Sequence, residues 1–167
     1  MTLLKTPICE FGKKAENFKL KSTDNKVIDL NDVKGKNGTL IMFICNHCPY
    51  VVATIEDIVK TTNELKNNDI NSIAIMSNDP TEHPEDSFEN MIEFSKKYNF
   101  NFPYVIDEDQ SVAKKYDAVC TPDFFGFNSN LELQYRGRIY EINNRVRVKD
   151  SKNELLESMI NVAKTNK

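Results

Sequence analysis

The stretch Cys45-Asn46-His47-Cys48-Pro49 constrains this chain more than any other. It lies between an apolar run, Leu40-Ile41-Met42-Phe43-Ile44, and a segment with apolar residues at helical spacing: Val51, Val52, Ile55, Ile58, Val59 and Leu65. The run reads as a buried strand and the spacing as an amphipathic helix. Two cysteines therefore stand where a strand ends and a helix begins. The first turn of a helix has unpaired N–H groups and a partial positive charge, and both stabilise a thiolate. Spacing i, i+3 on that turn brings two sulfurs close enough to join. Pro49 fits because a first turn needs no donor from it.

The rest of the chain alternates strand and helix. Phe18 to Lys21 and Val27 to Leu30 alternate apolar and polar around Asp24-Asn25, which reads as a β-hairpin. A strand is expected over 39–44, a helix over 49–67, a strand over 70–76 and a helix over 86–98. Tyr104 to Ile106 is a short strand, and Asp109 to Tyr116 a short helix. Asp123 to Phe127 and Leu131 to Tyr135 form an antiparallel pair around Asn128-Ser129-Asn130. Ser151-x-x-Glu154 reads as a capping box opening a last helix that buries Leu155, Leu156, Met159, Ile160 and Ala163. Strands alternating with helices imply a mostly parallel sheet covered on both faces, with the hairpins adding antiparallel strands. Chemistry in such sheets gathers at the carboxyl ends of the strands, where Cys45 stands.

The chain has 167 residues and is expected to be one domain, 1–167, with residues 1–17 as an N-terminal arm. A net charge of −3 without a large basic block argues against nucleic acid as a partner. Four cysteines, Cys9, Cys45, Cys48 and Cys120, are too few for a disulfide-stapled secreted scaffold of this length. No segment reads as a membrane span or a secretory signal, so a reducing cytoplasm is the expected compartment.

Several motifs together resemble the thioredoxin fold: the C-x-x-C after a buried strand, and Cys120-Thr121-Pro122-Asp123-Phe124-Phe125 before a strand hairpin. The N-terminal hairpin and the helix–strand unit near 86–106 are similar to the peroxiredoxin-like, AhpC/TSA-type branch of the thioredoxin-like superfamily. Phe43 to Val51, Ser77-Asn78-Asp79, Pro84-Glu85-Asp86-Ser87, Phe102-Pro103-Tyr104 and Tyr135-Arg136-Gly137-Arg138 carry the likeness further, over residues 14 to about 140. The start departs from the expected Ala-Pro-x-Phe, reading Ala15-Glu16-Asn17-Phe18, and 141–150 also departs. The resemblance implies an α/β fold: a central mixed sheet flanked by helices, with an N-terminal hairpin and an inserted helix–strand unit. It also implies that the Thr121-Pro122 bond is cis and faces the cysteine pair.

The site expected from these residues is a redox dithiol. Cys45 is the attacking thiolate, and Cys48, one turn further in, resolves the mixed disulfide. An imidazolium at His47 would stabilise the Cys45 thiolate, the alternative being an exposed polar residue. Cys120 reads as a core residue before a third redox thiol or a metal ligand. Thr39 to Ile44 carry no carboxylate, so the proton acceptor is unidentified and Asp79 is a weak candidate. Glu82, His83 and Glu85 read as a solvated loop, and Arg136 and Arg138 as an exposed strand end. The function this implies is a thiol–disulfide oxidoreductase. Its partners are a protein or small-molecule disulfide or thiol and a dithiol reductant, with no cofactor, no metal, no membrane, and a monomer or homodimer. One alternative is a thiol peroxidase, an antioxidant of peroxiredoxin type. That chemistry uses P-x-x-x-T/S-x-x-C, and here Ile41 and Cys45 stand at the required positions. Another is a metal-binding or copper-chaperone module, since sulfur-rich sites suit Cu(I) or Zn.

Overall fold

The computed structural model describes residues 10–167. Cys9 and the first part of the expected arm lie outside the described residues. The strands are β1 (Lys19–Ser22), β2 (Val27–Asp29), β3 (Gly38–Phe43), β4 (Ile70–Met76), β5 (Tyr104–Ile106), β6 (Asp123–Phe127), β7 (Leu133–Gly137), β8 (Ile142–Asn143) and β9 (Val146–Arg147). The helices are α1 (Leu30–Val33), α2 (Pro49–Asn67), α3 (Phe88–Lys97), α4 (Ser111–Tyr116) and α5 (Glu154–Thr165). No helix among the described residues is long and apolar enough to cross a membrane.

Seven strands form one sheet in the order β2-β1-β5-β4-β3-β6-β7. Among the described residues, only β3–β4 and β4–β5 pair in parallel; β1, β2, β6 and β7 join antiparallel. The sheet is therefore mixed, and the expectation of mostly parallel pairing is corrected. β3 lies inside, and all six of its residues are buried. Its side chains alternate between two cores, as the pleat requires. Leu40 and Met42 pack with Val51, Ile55 and Ile58 of α2, Met91 of α3, and Leu155 and Met159 of α5. Ile41 and Phe43 pack on the other face with Leu30, Val33, Val112 and Tyr116. The chain before β1 crosses β7's end through Gly12 N to Leu133 O (2.8 Å) and Ala15 N to Leu131 O (2.8 Å).

Local chemistry explains where the elements depart from expectation. Leu30 opens α1 instead of extending the hairpin. Asp29 and Asp32 each bond the other's backbone N–H there, a capping box that ends β2. The expected helix at 86 splits: Pro84–Asp86 is a 3₁₀ turn, and Ser87 caps α3 from Asn90 N. α5 is capped by Asn153, which accepts from Leu156 N, and not by Ser151. β8 and β9 form a small hairpin that the sequence patterning did not indicate.

Candidate active site

β3 delivers the chain to the cysteines. Ile44 N bonds Ile75 O at 3.1 Å, continuing the parallel register, and the chain then turns into α2. Cys48 is the N-cap and Pro49 the first helical residue. Cys45 and Cys48 are unpaired thiols, only 1% and 3% exposed. Across from them is the Thr121-Pro122 bond, which is cis. Thr121 faces both sulfurs: its Oγ1 is 3.5 Å from Cys45 Sγ, and its carbonyl oxygen 3.3 Å from Cys48 Sγ. The same cleft is lined by His47, Asn78, His83, Lys114 and Cys120.

Once one of the two thiols has ionised, the remaining proton has two arrangements. In one, Cys48 donates to Thr121 O, and a Cys45 thiolate accepts from Thr121 Oγ1. In the other, Cys45 donates to a Cys48 thiolate, which the Tyr50 and Val51 backbone N–H groups of the helix start also hold. The second arrangement pushes Cys45 well above the ordinary thiol range. Its bond to Cys48 is the main cause, followed by burial, with the negative charge of Asp86 adding to both. The same bond, with the helix N–H groups, lowers Cys48 to about 5 against the cost of burial. The helix terminus thus favours charge on Cys48 over charge on Cys45. Ionising Cys45 requires a proton acceptor.

A carboxylate does stand beside Cys45, at a position the strand pattern did not reveal. Asp86, in the 3₁₀ turn, is completely buried. Its Oδ1 accepts from Asn46 N at 2.7 Å, and its Oδ2 from Asn78 Nδ2 at 2.9 Å. Oδ2 is also 2.6 Å from His47 Nδ1, a close polar contact. Asn46 bridges further, donating to Glu85 O (3.1 Å) and accepting from Tyr104 OH (2.8 Å). His83 stacks on His47 with ring centroids 5.0 Å apart. His83 is exposed in its loop, as expected, and also lines the cleft beside His47. Asp79 is occupied elsewhere, accepting from Thr81 N and Oγ1 at 2.9 and 2.8 Å. The usable signal for Asp86 was Pro84-Glu85-Asp86-Ser87, a motif of the resemblance; its depth is set by tertiary packing.

Three other residues differ from expectation. Cys120 is exposed, at the edge of the cleft, and not in the core. Burial of its sulfur, with Asp123 nearby, still raises its thiol. Arg136 is not an exposed strand end. Its guanidinium bonds Asp123 Oδ2 (2.9 Å) and Asp117 O (2.7 Å) and lies 4.5 Å from the Phe125 ring centroid. Arg138 pairs with Glu154 at 2.7 Å on the surface.

A metal ion has three donors to consider here: Cys45 Sγ, a His47 ring nitrogen and an Asp86 oxygen all lie within 4.8 Å of one another. Two ligands on one tetrahedral zinc at about 2.0–2.1 Å are roughly 3.3 Å apart. At 2.6 Å, His47 Nδ1 and Asp86 Oδ2 are too close for that, and the carboxylate already serves Asn46 and Asn78. The arrangement does not fit a tetrahedral metal centre.

A mixed sheet, a dithiol at the start of α2 and a cis-proline turn facing it define a thioredoxin-like protein. The chain belongs to the AhpC/TSA family, whose model matches residues 11–142. It is 29% identical over 117 residues to the thiol-disulfide oxidoreductase ResA of Bacillus subtilis (strain 168), covering 70% of this chain and 61% of that one. It is 26% identical over 122 residues to the protein of the same name from Halalkalibacterium halodurans, covering 73% and 65%. The chain thus spans less than two thirds of the length of these curated relatives. Among solved structures, an uncharacterized conserved protein from Geobacillus kaustophilus superposes with a TM-score of 0.90 at 36% identity, over 96% of this chain and 87% of that one. A secreted disulfide oxidoreductase from Mycobacterium tuberculosis shares the fold, with a TM-score of 0.65 at 14% identity over 87% and 95% of the two chains.

Proposed function

We propose that the chain is a thiol–disulfide oxidoreductase working through Cys45 and Cys48. The observation that carries this reading is the pair of unpaired thiols at the start of α2, both facing the Thr121-Pro122 turn. The names of the curated relatives support it. Cys45 attacks a substrate disulfide and forms a mixed disulfide. Cys48, whose thiolate the helix terminus favours, then attacks Cys45 Sγ and releases the substrate as a thiol. Substrates are proteins or small molecules carrying a disulfide, and a dithiol reductant, in a cytosolic setting, reopens the Cys45–Cys48 bond. A peroxidase needs a site that polarises peroxide and holds one thiolate in line with its O–O bond, and Ile41 and Cys45 replace the residues of that element.

The test is trapping. Incubated with a disulfide-bonded protein, Cys48→Ser should accumulate a mixed disulfide through Cys45, and Cys45→Ser should accumulate none. Mild oxidation of the wild type should remove two thiols and two mass units. Persistence of both thiols defeats the redox reading. Rapid hydrogen peroxide turnover by Cys45→Ser, with Cys48 as the oxidised residue, would promote the peroxidase instead.

A further inference from the structure

We propose that a cavity at the amino end of β4, centred on Ser72, binds a free α-amino acid. The cavity has a volume of about 190 Å3, and Asp32, Thr62, Lys66, Ser72, Asn101 and Pro103 contribute to its lining. Cys45 and Cys48 follow the carboxyl end of β3, which runs parallel to β4, so the two sites lie at opposite ends of the sheet. The inference is therefore independent of the oxidoreductase reading.

The cavity is a gap in the hydrogen-bond ladder. Along β4, successive residues turn their backbone groups alternately to β3 and to β5. Ile75 O accepts from Ile44 N on the β3 side, whereas Ala74 N donates to Pro103 O (2.9 Å) and Met76 O accepts from Asp107 N (2.8 Å) on the β5 side. Ser72 faces the same way as Ala74 and Met76. One step further along that ladder, the donor due to the Ser72 carbonyl is residue 103, and proline has no N–H. Among the described residues, neither the N–H nor the carbonyl of Ser72 is bonded there, and Ser72 Oγ has no partner. Yet Ser72 is only 8% exposed. Buried polar groups ordinarily have partners, so three without one in a single residue, beside a cavity, point to a ligand. The walls are fixed: Thr62 Oγ1 donates to Asn101 Oδ1 at 2.8 Å, and Asn101 Nδ2 to Val59 O at 3.0 Å.

The donor set selects the ligand. The Ser72 N–H needs an acceptor, and its carbonyl needs a donor. A free amino acid carries a carboxylate and an ammonium on either side of one Cα, as a strand residue carries its own C=O and N–H. It can therefore meet both groups as an opposed residue in an antiparallel pair does. Charged partners make these hydrogen bonds stronger than a neutral amide would. Lys66 and Asp32, both exposed at the cavity, form no ion pair among the described residues and match the two charges of the ligand. An inorganic anion would leave the Ser72 carbonyl unmet and face Asp32; a simple cation would leave the N–H unmet and face Lys66. Val33 and Phe102 add apolar wall, which suits a short aliphatic side chain. The volume far exceeds the roughly 30 Å3 that one water occupies in the liquid.

The test is a titration of the isotope-labelled full chain with L-valine, read by NMR at the backbone amide of Ser72. The amide signal should move and saturate. N-acetyl-L-valine lacks the ammonium and L-valinamide lacks the carboxylate, and each should bind at least about tenfold more weakly, the loss expected for one hydrogen bond to a charged group. Lys66→Gln, an exposed change that leaves the fold intact, should weaken L-valine binding by at least about threefold. Ser72→Val places methyl groups in the cavity and should abolish binding; the two blocked ligands keep the test decisive even if that variant fails to fold. A Ser72 signal that does not move, or one that moves in proportion to concentration and equally for all three compounds, overturns the site and leaves Ser72 to water alone. Equal affinity in Lys66→Gln and for the blocked ligands overturns the assignment of a zwitterion.

Discussion

Replacing Arg136 with methionine should destabilise the fold far more than a surface charge would. The Arg136 and Asp123 side chains are only 3% and 5% exposed and meet at 2.9 Å. Arg136 also bonds Asp117 O at 2.7 Å, so it ties β6 and β7 to the end of α4 and the loop leading to Thr121. Removing one member of a buried pair leaves an uncompensated charge and costs about 3–5 kcal/mol. In a chain of this size that lowers the melting temperature by about 6–20 °C. Burial already holds the Asp123 carboxyl above the ordinary carboxylate range with Arg136 beside it, and losing Arg136 should push it higher. A carboxyl with a raised folded-state pKa binds its proton more tightly when folded. Stability is therefore regained as pH falls through the raised value, and the recovery is complete below the unfolded value of about 3.9. Urea titrations at several pH values should show a deficit largest at neutral pH and shrinking toward acid. Asp123→Leu combined with Arg136→Met should recover most of the loss, since no lone charge remains. A deficit under about 1 kcal/mol, or one independent of pH, would refute the claim that the pair is buried and coupled.

Two further changes test the packing that holds the site. A Cβ at Gly126 would lie 2.3 Å from Met159 Sδ and 3.1 Å from Tyr135 Cβ, so Gly126→Ala should cost about 1–3 kcal/mol in urea unfolding, and Met159→Val should relieve part of it. Asp107 is completely buried and accepts from Ser77 Oγ, Val112 N and Ala113 N, so Asp107→Ala should cost about 2–3 kcal/mol and speed hydrogen exchange at the start of α4.

Much of this protein could be read without coordinates. Cys45 and Cys48 were visible because an apolar run, a C-x-x-C and a helical spacing follow one another without a gap. The physics of a helix start depends only on that local order. α2, β4, β5 and β6 stand where the patterning put them, because each is a short run with clear breakers at its ends. Other features depend on contacts distant in sequence, and local pattern carries no trace of those. Arg136 looks like a solvent-facing charge until β6 and β7 pair and set it against Asp123. Cys120 looks like core until the turn carrying Thr121-Pro122 lifts it to the rim of the cleft. Asp86 is the clearest case. A carboxylate between Glu85 and Ser87 reads as surface, since burying a charge without partners is costly. Only the fold brings Asn46, His47 and Asn78 around it, from the end of β3 and the end of β4, and supplies the partners that make its burial tolerable. The dithiol was thus determined by local sequence. The environment that sets its protonation was decided by tertiary structure, because electrostatic interactions depend on distance and burial, not on order along the chain.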